Sequence, residues 1–120
     1  MVILFKCLND KREIVADQLD AGIASQLLPL EGEVGDYFVI DAETVMLDVS
    51  VLVNTRARTK GIVNANRFMR EAAKGQIERR APISVAPLSD GYWEVLDGNS
   101  TVLNAILAGW GKLPCKVSKS

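Results

Sequence analysis

The chain has no histidine among its 120 residues. That absence removes imidazole acid/base chemistry, any Ser-His or Cys-His nucleophile pair and most zinc sites. Its two cysteines, Cys7 and Cys115, lie far apart and outside any C-x-x-C spacing, so a reducing, cytoplasmic setting is expected. Long apolar runs are missing too. The apolar start from Met1 to Phe5 is broken at Lys6, too short for a signal peptide or a bilayer span, so a soluble product without membrane contact is expected. There is no internal repeat, low-complexity segment or Pro/Ser-rich linker. A chain of this length can bury enough surface to fold as one domain without disulfide or metal.

What is present is charge, unevenly spread. The net charge of −1 conceals a first part, residues 1–50, that carries −7, and a window from Arg56 to Arg80 that carries +6. The basic window suggests a face for nucleotide or nucleic-acid phosphate, or a solvated helix face opposite the acidic part of the same molecule. The acidic third is a candidate docking element for a protein partner, or a cover for one face of the fold.

Hydrophobic periodicity supplies the elements. Asp10 and Glu13 have capping-box spacing, and Ile14, Val15, Leu19, Ile23 and Leu27 follow a helical repeat, so a helix is expected from about Lys11 to Leu28, stopped by Pro29. After a loop through Gly32 and Gly35, Tyr37–Ile40 and Val45–Leu47 are strand candidates, with a turn from Asp48 into a strand end at Leu52. The segment from Asn54 to Gly61 is expected to be a loop that projects Arg56 and Arg58. A helix should follow, capped by Asn64, packed through Phe68, Met69, Ala72 and Ala73 and ended by Gly75. Ile83–Val85 and Tyr92–Leu96 should pair through an Asp90-Gly91 turn. Val102, Leu103, Ile106 and Leu107 then form the packing face of a short helix that Gly109 ends. Leu113–Val117 is a final strand whose Pro114 points to its first residues or to a sheet edge. The expected fold is α+β, a small mixed sheet with packed helices.

The junction Leu96-Asp97-Gly98-Asn99-Ser100-Thr101 carries the chemistry. A strand hands over at a glycine to a helix, whose first amides lack intrahelical partners and, with the helix dipole, favour a phosphate or carboxylate. Gly98 would admit a ligand close to the backbone, Asn99 or Ser100 would cap the helix, and the remaining hydroxyls, Thr101 included, would reach ligand oxygens. The plainer reading is an ordinary cap with no ligand. Without histidine, a general base must come from Asp97, Glu94, Glu71 or Glu78. Asp97 is also the candidate magnesium ligand, since magnesium needs only one or two carboxylates beside phosphate oxygens.

The residues from Val45 to Val117 resemble the ParB/sulfiredoxin superfamily. The match runs through Pro82-Ile83-Ser84-Val85, Gly91-Tyr92, Val95-Leu96-Asp97-Gly98, Ala105, Gly109-Trp110 and Leu113-Pro114-Cys115-Lys116-Val117. Leu52 to Arg58 is similar to that family's arginine-ending loop. The resemblance implies a small mixed sheet with a phosphate-binding helix start over residues 45–120, joined to an acidic N-terminal extension over residues 1–44 in one compact unit. In ParB proteins an acidic residue and two arginines follow the glycine; here Asn99, Ser100 and Thr101 do. Sulfiredoxins carry a nucleophilic cysteine where this chain has Asn99, so a sulfinic-acid reductase is not expected. Arg79 and Arg80 could replace the lost arginines. No helix-turn-helix region is expected after this domain.

Two functions follow. One is a nucleotide-binding or DNA-binding protein of nuclease or nucleotide-hydrolase type, with phosphate at Gly98, Asn99, Ser100 and Thr101, neutralised by Arg56, Arg58, Arg79 and Arg80, with Asp97 or Glu94 as base and Mg2+ with ATP or CTP as cofactor or ligand. The other is a non-catalytic module that docks DNA or a protein, a role favoured by the missing arginine clamp. Small-molecule phosphotransfer would need the same cradle. Base reading has little support, because only Ile62, Phe68 and Met69 could stack or wedge within the basic window.

Overall fold

The computed structural model describes residues 3–55 and 59–118. It places β1 at Ile3–Leu8, β2 at Ile14–Leu19, a one-turn helix α1 at Ala21–Ala24, β3 at Val45–Asp48 and β4 at Leu52–Val53. Helix α2 follows at Thr59–Ala73, then β5 at Ile83–Pro87, β6 at Trp93–Asp97, α3 at Asn99–Ala108 and β7 at Lys112–Val117. The fold is α+β. A five-stranded mixed sheet has the order β3-β7-β5-β6-β4, and β1 and β2 form a separate antiparallel pair. The pair is joined to the sheet at one bridge, where the Leu8 amide donates to Asn54 O (2.9 Å) and the Asn54 amide donates to Lys6 O (2.8 Å).

The helix expected from Lys11 to Leu28 is a hairpin followed by one helical turn. Asn9 decides this. Its side-chain oxygen accepts from the amides of Lys11 (3.0 Å) and Glu13 (2.9 Å), and Arg12 takes a left-handed φ of 64°, a turn that reverses the chain. The Asp10/Glu13 spacing belongs to this turn and not to a capping box. Ile14 and Val15, both β-branched, open a strand whose first five residues are exposed and whose last, Leu19, is buried; β-branched residues suit such a strand better than a helix.

Other boundaries also move. Tyr37–Ile40 is not a strand, because only Phe38 bridges, opposite Arg80. Helix α2 begins at Thr59, ahead of Asn64, so Asn64 is an interior helix residue and not a cap. Pro114 lies in an interior strand. It pairs with Met46 of β3 and stands just before Cys115, the first β7 residue paired to β5, so no bond of that second ladder needs its missing N–H.

The main core holds Leu52, Met69, Ile83, Val85, Val95, Val102 and Leu113 together with Tyr37 and Phe38, each 1% exposed. Trp110 closes it over the Tyr37 ring at 5.0 Å. A second cluster joins Leu19 and Leu27 to Ile62 and Leu103. The residues before Val45 therefore supply core to the same body that β3 to β7 build, because amphipathic segments this short cannot bury their apolar faces alone. No helix among the described residues is long and apolar enough to cross a membrane.

Candidate functional site

Helix α3 starts without a side-chain cap. Gly98 is its N-cap at φ 100°, and the first intrahelical bond runs from the Val102 amide to Gly98 O (3.0 Å). The amides of Asn99, Ser100 and Thr101 therefore have no acceptor within the helix. Gly98 is required for packing as well as for its dihedral angle. A Cβ there would lie 2.7 Å from Cδ1 of Ile83, so the position a side chain would take packs against β5, while Gly98 itself lines the groove at the helix start as expected.

Asn99, expected as a cap or ligand contact, turns to the end of β4. Its Oδ1 accepts from the Thr55 amide (2.9 Å) and its Nδ2 donates to Thr55 Oγ1 (3.0 Å). Thr55 Oγ1 donates to Val95 O (2.9 Å), and Asn54 Nδ2 donates to Asn99 O (3.0 Å). This stitching anchors the chain just before Arg56 and Arg58, which lie outside the described residues. Thr101 is only 6% exposed, so Ser100, half-buried, is the more open hydroxyl of the first turn.

Around this turn lies a groove of about 540 Å³, lined by the expected residues Asp97, Gly98, Asn99, Ser100, Thr101 and Arg80 and also by Phe68. Helix α2 comes close because Gly61 has no side chain: a Cβ there would sit 3.1 Å from Ser100 Oγ. The Arg80 guanidinium lies 5.7 Å from the centre of the Phe68 ring, with Arg67 at 4.9 Å, within cation–π range. The backbone of Arg80 is fixed through its amide to Tyr37 O (2.7 Å) and its carbonyl from the Val39 amide (2.9 Å). Phe68, expected in the core stripe, is thus a groove wall, whereas Met69 and Ala72 are buried as expected.

The remaining expectations divide. Asp97 lines the groove. Glu94 does not; both of its oxygens accept from Arg12, at 3.1 and 2.8 Å. That guanidinium holds the Glu94 carboxyl below the ordinary glutamate range, a carboxylate engaged in structure and poorly suited to act as a base. Arg79 is exposed and, with Glu71 and Glu78, is not part of the groove wall. No group of three or more metal-ligating side chains occurs among the described residues, so any cation would depend on Asp97 and on oxygens of the ligand.

Sequence reasoning missed a pair of buried asparagines that fixes α3 beside α2. Asn66 Nδ2 donates to Asn104 Oδ1 (2.9 Å) and to Leu28 O (2.9 Å), and its Oδ1 accepts from the Leu28 amide (3.1 Å). Asn104 Nδ2 donates to Ile62 O (3.1 Å) and Ser100 O (2.9 Å). The available signal was asparagine in helix interiors, where its propensity is poor and a tertiary partner must compensate. Comparison with known protein families finds no match, and comparison with curated proteins finds none either.

Proposed function

We propose that the groove at the start of α3 binds a phosphate-bearing ligand of nucleotide size, in keeping with the resemblance to the ParB/sulfiredoxin superfamily. The observation that carries this reading is that an uncapped helix start and the Arg80 side chain line one open groove. The first-turn amides supply donors and the positive end of the helix dipole, and the guanidinium supplies charge. A volume near 540 Å³ falls within the usual range of small-molecule sites, about 300–1,000 Å³. The Phe68 ring, with the Arg67 and Arg80 guanidinium groups at 4.9 and 5.7 Å from its centre, helps to hold positive charge beside the phosphate position.

With Glu94 held by Arg12, Asp97 is the one carboxylate of the expected pair that lines the groove. This favours binding over nuclease or nucleotide-hydrolase chemistry. Magnesium would enter with the ligand, Asp97 giving one oxygen and phosphate the others. A reducing, cytoplasmic setting suits the two free thiols, Cys7 and Cys115.

The test is a thermal-shift and hydrolysis panel of ATP, CTP, GTP and duplex DNA, with and without magnesium. A bound nucleotide raises the unfolding midpoint with occupancy. Ser100→Asp puts negative charge where phosphate sits and abolishes the shift, and Arg80→Gln weakens binding by about 1.5–3 kcal/mol, the worth of a charge-assisted hydrogen bond. Neither substitution should lower the midpoint of the free protein by much. A panel in which no nucleotide and no DNA shifts the wild type overturns the proposal; product formation with magnesium restores the enzyme reading.

A further inference from the structure

A second pocket, independent of the Gly98 groove, lies between the β1–β2 hairpin and helices α2 and α3. It has a volume of about 350 Å³, with apolar walls from Phe5, Ile23, Ile62 and Leu103, and Asn54, Cys7, Asp17, Gln18 and Asp20 as its polar members. Asn54 is 1% exposed. Its Nδ2 is used by Asn99 O, but its Oδ1 accepts no hydrogen bond and is the sole buried side-chain polar atom so placed among the described residues. An unpaired buried carbonyl oxygen costs about 1–3 kcal/mol, so a donor brought to it is favoured by that amount of relief.

The electrostatics of the pocket select the donor. Asp17 and Asp20 belong to the acidic part of the chain, and both side chains are exposed. The Cys7 thiol is held above its ordinary range first by burial, which opposes charge of either sign, and second by the negative charge of Asp17; of the two, it is the nearby carboxylate that favours a cation over an anion here.

We propose that this pocket binds an alkylammonium group, its chain against Phe5, Ile23, Ile62 and Leu103 and its nitrogen donating to Asn54 Oδ1. The source is either a free aliphatic diamine or the lysine side chain of a partner protein. An acceptor without a donor, apolar walls for a short chain and carboxylates beside them together describe that chemistry. An alcohol would satisfy the oxygen but not the charge, and a carboxylate would satisfy neither.

The experiment is an NMR titration of the 15N-labelled full chain, following the Asn54 side-chain amide and the backbone amides of Cys7 and Ile23. With 1,5-diaminopentane these signals move and saturate at millimolar concentration, whereas pentan-1-ol and pentanoate leave them in place. Asp20 caps α1 by accepting from the Ile23 amide (3.1 Å); the double variant Asp17→Asn/Asp20→Ser, whose serine hydroxyl can still cap that helix, weakens the amine by about tenfold through loss of the two nearby charges. A blocked lysine amide that binds more tightly than the diamine assigns the site to a protein lysine; the reverse order assigns it to a free amine. The proposal fails if neither amine produces saturating shifts, or if the alcohol or the carboxylate produces the same ones. The alcohol and carboxylate arms use the wild type alone and so decide the matter even if the variant does not fold. Nucleotides play no part, so failure of the Gly98 groove in its own test leaves this one unaffected.

Discussion

The seam between α2 and α3 and the open start of α3 use the same amide chemistry in opposite ways. In the seam, Asn66 and Asn104 spend their side chains on each other and on the carbonyls of Leu28, Ile62 and Ser100. At the helix start, Asn99 looks away from its own helix toward Thr55, and no side chain caps the first turn. One region is closed so that the helices hold a fixed relation; the other is held in shape from outside while its backbone donors stay open. A groove positioned by closed neighbours would need little reorganisation to take the proposed ligand, and reorganisation is where affinity is otherwise lost.

The largest expected effect comes from breaking the closed side. Asn104→Leu leaves one N–H of the buried Asn66 amide without its acceptor and takes the second donor from the Ile62 and Ser100 carbonyls, which keep their helical i+4 amides, at a cost of about 2–4 kcal/mol, read as a lower midpoint in urea with an unchanged slope. If α3 is positioned by the seam, nucleotide affinity falls as well, although Asn104 is no part of the groove wall. A destabilised variant that binds nucleotide as tightly as wild type separates the two regions and breaks the comparison.

Next comes Gly98→Ala, expected to cost about 1–3 kcal/mol because it forces a positive φ on a residue with a Cβ and drives that Cβ to within 2.7 Å of Ile83 Cδ1. The two contributions are separable. Ile83→Val removes Cδ1, so in that background the penalty of the alanine shrinks by about 1 kcal/mol, the overpacking share, and the dihedral share stays. Equal penalties in the two backgrounds would mean that β5 yields readily, and that Gly98 is there for its backbone angle alone.

From Val45 onward the sequence made the order of most elements legible because its punctuation is local. Gly98 and Gly109 bracket α3 as N-cap and C-cap, the turn before Tyr92 separates β5 from β6, and Val45–Asp48 and Lys112–Val117 lie where apolar runs put them. The first part misled because spacing of three and four residues between Val15, Leu19, Ile23 and Leu27 fits a helix, while the deciding contact, Asn9 to the amides of Lys11 and Glu13, is a side-chain-to-backbone turn that periodicity does not register. At the site, the glycine and the helix start were visible in the letters. The diversion of Asn99 to Thr55, the pairing of Glu94 with Arg12 and the placing of Phe68 on a groove wall each depend on residues more than ten positions away, and no local pattern encodes them.

The smallest expected effect tests a third way of holding the site in shape, by charge. The Arg12–Glu94 pair fastens the hairpin turn to β6, with the arginine 63% exposed and the glutamate 14%. Arg12 lowers the Glu94 carboxyl below its ordinary value of 4.5. A carboxyl depressed in the folded state contributes stability that is complete above the ordinary value and lost as pH falls through the folded one. Hydrogen exchange at the Leu8 and Asn54 amides, which join β1 to β4, should therefore lose protection on acidification once intrinsic rates are corrected, and Glu94→Gln should flatten that profile. The amides of α3, whose anchoring bonds at Asn54, Asn99 and Asn104 are uncharged, should keep their protection over the same range. Parallel loss in hairpin and helix would mean that the clamp on β6 is transmitted to α3, so that the groove depends on the hairpin after all; a hairpin indifferent to pH would leave the two backbone bonds at Asn54 as its sufficient fastening.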